Sequence, residues 1–404
     1  MKVIVIGAGA AGLMASISAS ENGHQVILLD GNEKCGRKLY ITGKGRCNVT
    51  NNTTPTEFIK NVITNSKFMY GAINRFTPTD TINFFEDRGV KLVTERGNRV
   101  FPKSQKASSV TACLYDLCKK NGVKFVFEKV CSIRKNDEGF AVSYKDKKEI
   151  FDKVVVCCGG VSYPETGSDG DGYEIAKSFS HTVTAIKPAL VPIETEENVS
   201  SLAGLNLKNV RISAFYGKKT FSLFGEAEFF KKGLCGPTVL SLSSMINKFD
   251  AKQITLSLDL KPALDEQTLD KRILRELADV KNKTVYDVVK TLLPVQLIDY
   301  YLKYCKVLPQ TPVTGLTKEQ RLSLLKGLKN MTFSIKKLSD VERGIVTSGG
   351  VDVKEINPKT MMSKIVNGLY FAGEVLDVDA LTGGYNIQIA LSTAFAVARA
   401  INEE

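Results

Sequence analysis

MKVIVIGAGAAGLMASISASENGHQVILLD, residues 1–30, is a complete strand–turn–helix–strand unit, and its reading decides the fold. The apolar run Val3–Ile6 ends in Gly7-Ala8-Gly9-Ala10-Ala11-Gly12, a helical stretch follows, and a second apolar run closes on Asp30. Gly7 permits the tight turn, Gly9 lets backbone approach a pyrophosphate, and Gly12 lets helix and strand pack closely. The helix start offers N–H groups and the positive end of its dipole to phosphate oxygens. Asp30, 18 positions past Gly12, is placed to accept hydrogen bonds from an adenosine ribose. With all four parts in order, the unit predicts a bound dinucleotide.

A chain of 404 residues exceeds one compact core, so two or three domains are expected. Lys+Arg 55 against Asp+Glu 43 leaves +12, but the lysines are scattered in pairs such as Lys218-Lys219 and Lys231-Lys232. That pattern is a solvated basic surface, and nucleic acid is not the expected partner. No apolar run reaches membrane-spanning length, and the N-terminal one belongs to the first strand. Nine cysteines without regular spacing fit reduced thiols and a cytoplasmic location. Only His24 and His181 are present, which argues against a histidine metal site or triad, and no metal is expected. Proton transfer falls to Lys, Tyr, Cys, Asp, Glu, substrate or cofactor.

Further along, helical patterns are expected at 78–88 and 106–121, and a small meander near 123–135, 140–144 and 148–151. Val154–Cys158 reads as a buried strand. Short strands at Ile212–Phe215, Thr220–Leu223 and Ile254–Leu258 mark a β-rich segment; helices at 266–278, 284–292, 294–304 and 317–328 follow. A strand pattern returns at Met331–Ile335, and the tail reads as strand, glycine turn and terminal helix. The organisation predicted is a nucleotide domain from 1–188 and 346–404, a β-rich insert from 189–262 and 330–345, and a helical subdomain at 263–329.

In the tail, a strand stops at Ala372-Gly373-Glu374, and Gly383-Gly384 opens the last helix. In two-dinucleotide-domain flavoproteins a similar arrangement sets an acid near the ribityl chain and aims a helix start at the flavin pyrimidine ring, where it favours negative charge on the reduced cofactor. A nicotinamide-only enzyme has no need of it. The loop Arg37–Asn51 adds Arg37, Lys38, Lys44 and Arg46, the glycines Gly43 and Gly45, and Asn48.

Three separated stretches, GRKLYITGKGRCNVTN, VVVCCGGVSYPETGSDGDGY and GLYFAGEVLDVDALTGGYNIQIA, resemble the bacterial BaiN/RdsA-type flavoproteins, also labelled the aminoacetone oxidase family of FAD-binding enzymes. The resemblance runs from end to end. It implies an α/β fold: a glutathione-reductase-like FAD-binding Rossmann domain with an inserted β-barrel-like domain and a helical subdomain. It implies FAD, with NADH or NADPH as a transient reductant, and a small-molecule substrate. Carried over, cofactor contacts fall on Gly7, Gly9, Ala10, Ala11, Gly12 and Asp30, and in the loop on Arg37, Lys38, Gly45, Arg46, Cys47 and Asn48. Val130 is set to clamp adenine through its backbone, and Gly373, Glu374, Asn386 and Ile387 complete the flavin end. The implied chemistry is NAD(P)H-linked reduction of a small organic substrate; alternatives are an amine oxidase using O₂ and a flavin-containing RNA-modifying or RNA-binding protein.

This chain departs from the family pattern at Cys157-Cys158, where Ala-Thr is usual, and at Phe230-Lys231-Lys232-Gly233, where a histidine is usual. The two cysteines read as small buried thiols. Lys231 reads as a surface lysine, although it joins Tyr163, Arg99 and Tyr385 as a candidate for the reaction pocket, expected between the FAD domain and the insert. Cys35 and Cys47, 12 positions apart, lack the close spacing of a dithiol pair. The segment Gly167–Gly172 lacks a preceding strand, and its two acids would repel a pyrophosphate. A resident nicotinamide domain is therefore not expected.

Overall fold

The computed structural model describes residues 1–278 and 284–403, and divides into two compact units: Met1–Ala189 with Asp340–Glu404, and Leu190–Ser339. In the first unit, five strands lie side by side in the order Leu369–Phe371, Lys153–Val156, Lys2–Ile6, Gln25–Leu29, Lys124–Val126. Every neighbouring pair is parallel, with Ile6 level with Leu29 and with Val156. All five carboxyl ends therefore share one edge, where ligands of open α/β sheets bind. Parallel strands covered on both faces must be apolar throughout, and Val3–Ile6 and Val154–Val156 are all buried.

The opening helix Ala10–Glu21 and the terminal helix Tyr385–Glu403 pack along each other. Their small residues, Ala11, Ala15, Ala19, Ala394 and Ala398, are all buried and let the two axes come close. Each buried Val, Leu, Ile, Phe or Met side chain of the core contributes roughly 1.5–3 kcal/mol relative to exposure. An antiparallel meander, Val130–Asn136, Gly139–Tyr144 and Lys147–Phe151, completes this unit with a short sheet of Thr50–Asn51, Arg99–Pro102 and Leu92–Glu95. The stretch 123–135 thus splits. Lys124–Val126 joins the parallel sheet beside Gln25–Leu29, and only the part from Val130 enters the meander.

The second unit holds a closed six-stranded barrel: Ile193–Thr195, Gly233–Cys235, Lys219–Phe230, Asn206–Tyr216, Thr255–Asp259 and Met331–Leu338. Met331, Phe333 and Ile335 point in while Ser334 and Lys336 are exposed, the alternation a barrel strand requires. The strands expected near 212–215 and 220–223 are far longer, because ladder pairing carries on to polar positions such as Asn206 and Glu228. A helix at Pro237–Ile246, hidden in the sequence among serines, also belongs to this unit. Helices Glu266–Ala278, Val285–Lys290, Val295–Tyr304 and Lys318–Lys329 pack into the same apolar core as the barrel, through Leu269, Ile273, Tyr301 and Leu328. Among the described residues, no helix is long and apolar enough to cross a membrane.

Candidate active site

The glycine turn at the sheet edge is built by close approach. A Cβ on Gly12 would stand 1.7 Å from the Gly7 carbonyl oxygen, and one on Gly7 2.4 Å from that of Cys157. Gly9 differs: its φ is −79°, and a Cβ there would meet nothing within 4 Å. Gly9 faces open space. The opening helix begins beside it with no side-chain cap and no acid in its first turn, so its dipole and N–H groups are available to an anion. Asp30 braces this turn: one carboxylate oxygen accepts the Ala8 N–H at 2.6 Å, and the other accepts the Asn32 N–H at 2.7 Å. Arg37 donates in turn to the Asn32 side chain. The Gly36 N–H donates to the Ala8 carbonyl at 2.8 Å, pinning the following loop onto the turn.

That loop runs from the short helix Arg37–Ile41 into a left-handed stretch, with Gly43, Lys44, Gly45 and Cys47 at φ 58, 58, 85 and 62°. Positive φ at two non-glycine residues marks strain, which concentrates at functional sites. Burial pushes the Cys47 thiol up to about 12, against a lowering bond from Thr42, and pushes Cys35 up to about 11, with Asp30 adding to the rise. All nine cysteines are free, and these two are held as thiols rather than thiolates. Arg46 lies over the Phe101 ring at 4.0 Å and pairs with Glu95 at 2.9 Å, so its charge is engaged within the protein. The Asn48 Oδ1 is buried with no hydrogen-bond partner among the described residues.

Glu374 and Lys38 meet. The Lys38 ammonium donates to the Glu374 carboxylate at 3.0 Å and to the Ser162 hydroxyl at 2.7 Å, and that hydroxyl donates onward to Glu374 at 3.0 Å. The Thr347 N–H is a third donor to the same carboxylate, at 2.9 Å. Gly160 makes room for the cluster, since a Cβ there would lie 2.3 Å from the Thr347 hydroxyl and 3.1 Å from Glu374. Ser162 and Thr347 were not singled out in the sequence. The one available signal was the glycine pair before Ser162, because small residues mark close approach.

The remaining candidates are dispersed. Asn386 closes its own turn, accepting the Ala380 N–H and donating to the Ala380 carbonyl, so its side chain is committed locally. Ile387 lies in the first turn of the terminal helix, and Tyr385 at its start is buried with its ring edge-on to Phe58. Val130 begins the first meander strand, half-buried. Tyr163 adopts φ 52° just after Ser162, and Arg99 opens a strand of the short sheet. Lys231 belongs to the other unit and is exposed in the turn between Lys219–Phe230 and Gly233–Cys235. In the Gly167–Gly172 segment, Lys129 bridges Asp169 at 2.5 Å and Asp171 at 2.9 Å. Both histidines are occupied: His24 contacts Asn402 and the chain's amino group, and His181 is sealed between Glu355 and Ser363. Among the described residues no group of His, Cys, Asp or Glu could hold a metal ion.

A parallel sheet whose carboxyl edge carries an uncapped glycine turn, an acid closing the second strand and a second glycine element from the tail defines a flavin-type dinucleotide-binding protein. Gly9 facing open space and the orphaned Asn48 oxygen are what an FAD would fill, so the residues present fit the cofactor. The chain belongs to the HI0933-like protein Rossmann domain family, whose model matches residues 1–400. It is 29% identical to a 3-dehydro-bile acid delta(4,6)-reductase of Clostridium scindens, covering 100% of this chain and 99% of that one. It is 32% identical to a ribosomal RNA dihydrouridine synthase of Escherichia coli, over 98% of this chain and 96% of that protein. In fold it resembles the 3-ketosteroid delta1-dehydrogenase of Sterolibacterium denitrificans, with a TM-score of 0.53, 11% identity and 99% of each chain covered. The resemblance drawn from the three motifs is thereby confirmed, and the protein is an FAD-dependent oxidoreductase.

Proposed function

We propose that this chain reduces a carbon–carbon double bond conjugated to a carbonyl in a small organic molecule, with NADH or NADPH as transient hydride donor. One observation carries the reading: among the described residues, the turn at Gly7–Gly12 is the one fit for a pyrophosphate. At Gly167–Gly172, another glycine-rich helix start, Asp169 and Asp171 bring two acids to the opening of helix Asp171–Ser178, which disfavours a second resident pyrophosphate and makes nicotinamide a visitor. A delta(4,6)-reductase and a dihydrouridine synthase both name the addition of two hydrogens across a ring double bond, which supports that bond type here.

In this reading the opening helix start, from Gly9 through Ala10 and Ala11, holds the pyrophosphate. Asp30 faces the ribose while bracing the turn, and the Val130 backbone meets adenine. Gly45, Cys47 and Asn48 line the ring side with Gly373, Asn386 and Ile387. FAD, when bound, takes up a hydride and passes it to an electron-poor carbon. With both histidines committed, the proton completing the addition comes from another group, for which Tyr163 and Tyr385 are the candidates on this unit.

Anaerobic mixing of the yellow protein with NADH, NADPH and a panel of amines tests the reading. Bleaching of the flavin band by a nicotinamide, and its return on adding a cyclic enone, is the expected result. Bleaching by an amine alone makes the protein an oxidase. Reoxidation by ribosomal RNA but by no small enone moves the substrate to RNA. A colourless protein that takes up no FAD overturns the proposal.

A further inference from the structure

We infer that Lys38 and Glu374 act as one charge pair that poises the reduction potential of the cofactor site, an inference that rests on the FAD reading above. The sequence alone makes the two residues separate cofactor contacts. In the structure they are partners, and three stretches far apart in the chain are brought together to hold them.

The position of the pair follows from its neighbours. Gly36, two residues before Lys38, donates its N–H to Ala8 inside the glycine turn. Gly373, next to Glu374, lies so near the opening helix that a Cβ on it would come within 2.8 Å of the Ala11 side chain. The pair is therefore flanked on both sides by the turn and helix start that face open space at Gly9. Ser162 and Glu374 also lie in the segments that leave strands Lys153–Val156 and Leu369–Phe371 at their carboxyl ends.

A clamp that only needed strength would be sealed, as His181 is against Glu355 with none of the imidazole exposed. Lys38 and Glu374 instead keep 21% and 20% of their side chains accessible. The direction of the bonds is also fixed. An ammonium has only donors, so the Ser162 hydroxyl accepts from Lys38 and its single proton goes to Glu374. The Thr347 N–H donates to the same carboxylate oxygen, Oε1, that the Ser162 hydroxyl holds. Glu374 is pinned by three partners and Lys38 by two, so neither charge is free to swing away when the cofactor changes charge. Two-electron reduction brings negative charge into the site, which a fixed cation favours and a fixed anion opposes.

The test is the midpoint potential of bound FAD in four proteins: wild type, Lys38→Met, Glu374→Gln and the double variant. Lys38→Met lowers the preference for reduced over oxidised FAD by about tenfold, a shift of about 30 mV to more negative potential. Glu374→Gln shifts it by a similar amount the other way, and the double variant returns close to wild type. Lys38→Arg and Glu374→Asp keep the charges and stay within a few-fold of wild type. Should either neutral variant fail to retain FAD, these two carry the test: a tenfold or larger shift in them overturns the pair as a charge device. Single neutral variants that shift the same way, or not at all, overturn it too. A wild-type protein without FAD instead sinks the reading beneath it.

Discussion

At the scale of single residues, the glycine turn separates two kinds of glycine that the sequence writes identically. Gly12 is required by packing within the protein, since its Cβ would collide with the Gly7 carbonyl oxygen. Gly9 is required by nothing in the protein, for its φ of −79° suits any residue and its Cβ would meet open space. Gly12→Ala is therefore expected to destabilise the fold by about 1–3 kcal/mol or more through overpacking. Gly9→Ala is expected to stay within about 0.5 kcal/mol of wild type in chemical denaturation, as surface changes do. Its FAD dissociation constant, read by flavin fluorescence titration, should nevertheless rise at least tenfold, because the methyl group occupies the phosphate approach. A Gly9→Ala protein that binds FAD normally would place the pyrophosphate elsewhere. The turn and its acid were legible from spacing. The partners of Glu374 were not, because a carboxylate's donors come from segments brought together only by the sheet.

Among the elements, the segment after Asp171–Ser178 is held by a buried clasp. The His181 Nδ1 lies 3.0 Å from Glu355 and its Nε2 lies 2.8 Å from Ser363. The order serine, histidine, glutamate has the look of a hydrolytic triad, but Ser363 is only 2% exposed and already accepts the N–H groups of Ile365 and Val366. It is a structural clasp. Burial lowers the His181 pKa below 6.5, with Glu355 pulling it partly back. A histidine with a depressed folded-state value stabilises the neutral form, so its contribution is present above pH 6.5 and is lost as pH falls through the folded value. Denaturation between pH 8 and 5 should show stability falling below 6.5, and His181→Gln should flatten that slope while costing about 1–3 kcal/mol at pH 8. An unchanged slope in the variant would assign it to other groups. The helices at 266–278 and 294–304 were readable from their apolar spacing, and their bounds lie within a residue of expectation. The helix Pro237–Ile246 was not, because its three buried serines, Ser241, Ser243 and Ser244, mask the apolar face.

Over the whole molecule, two apolar cores share no residue, one in each unit. Calorimetry is expected to resolve two transitions, of which saturating FAD raises the one belonging to Met1–Ala189 with Asp340–Glu404. A single transition that moves as one with FAD would show the units to be thermodynamically joined. What the sequence determined by itself was local and periodic: a glycine turn between two apolar runs, a matching element in the tail, short alternating runs for a meander. Those rest on backbone sterics and side-chain alternation, which act over a few residues and need no partner. What only the tertiary structure decided was pairing at a distance. Parallel order put Leu369–Phe371 beside Lys153–Val156, and that adjacency joined Lys38, Ser162, Thr347 and Glu374 into one charged cluster. Electrostatic partnership depends on separation in space, and the 336 positions between Lys38 and Glu374 hide it from any local pattern.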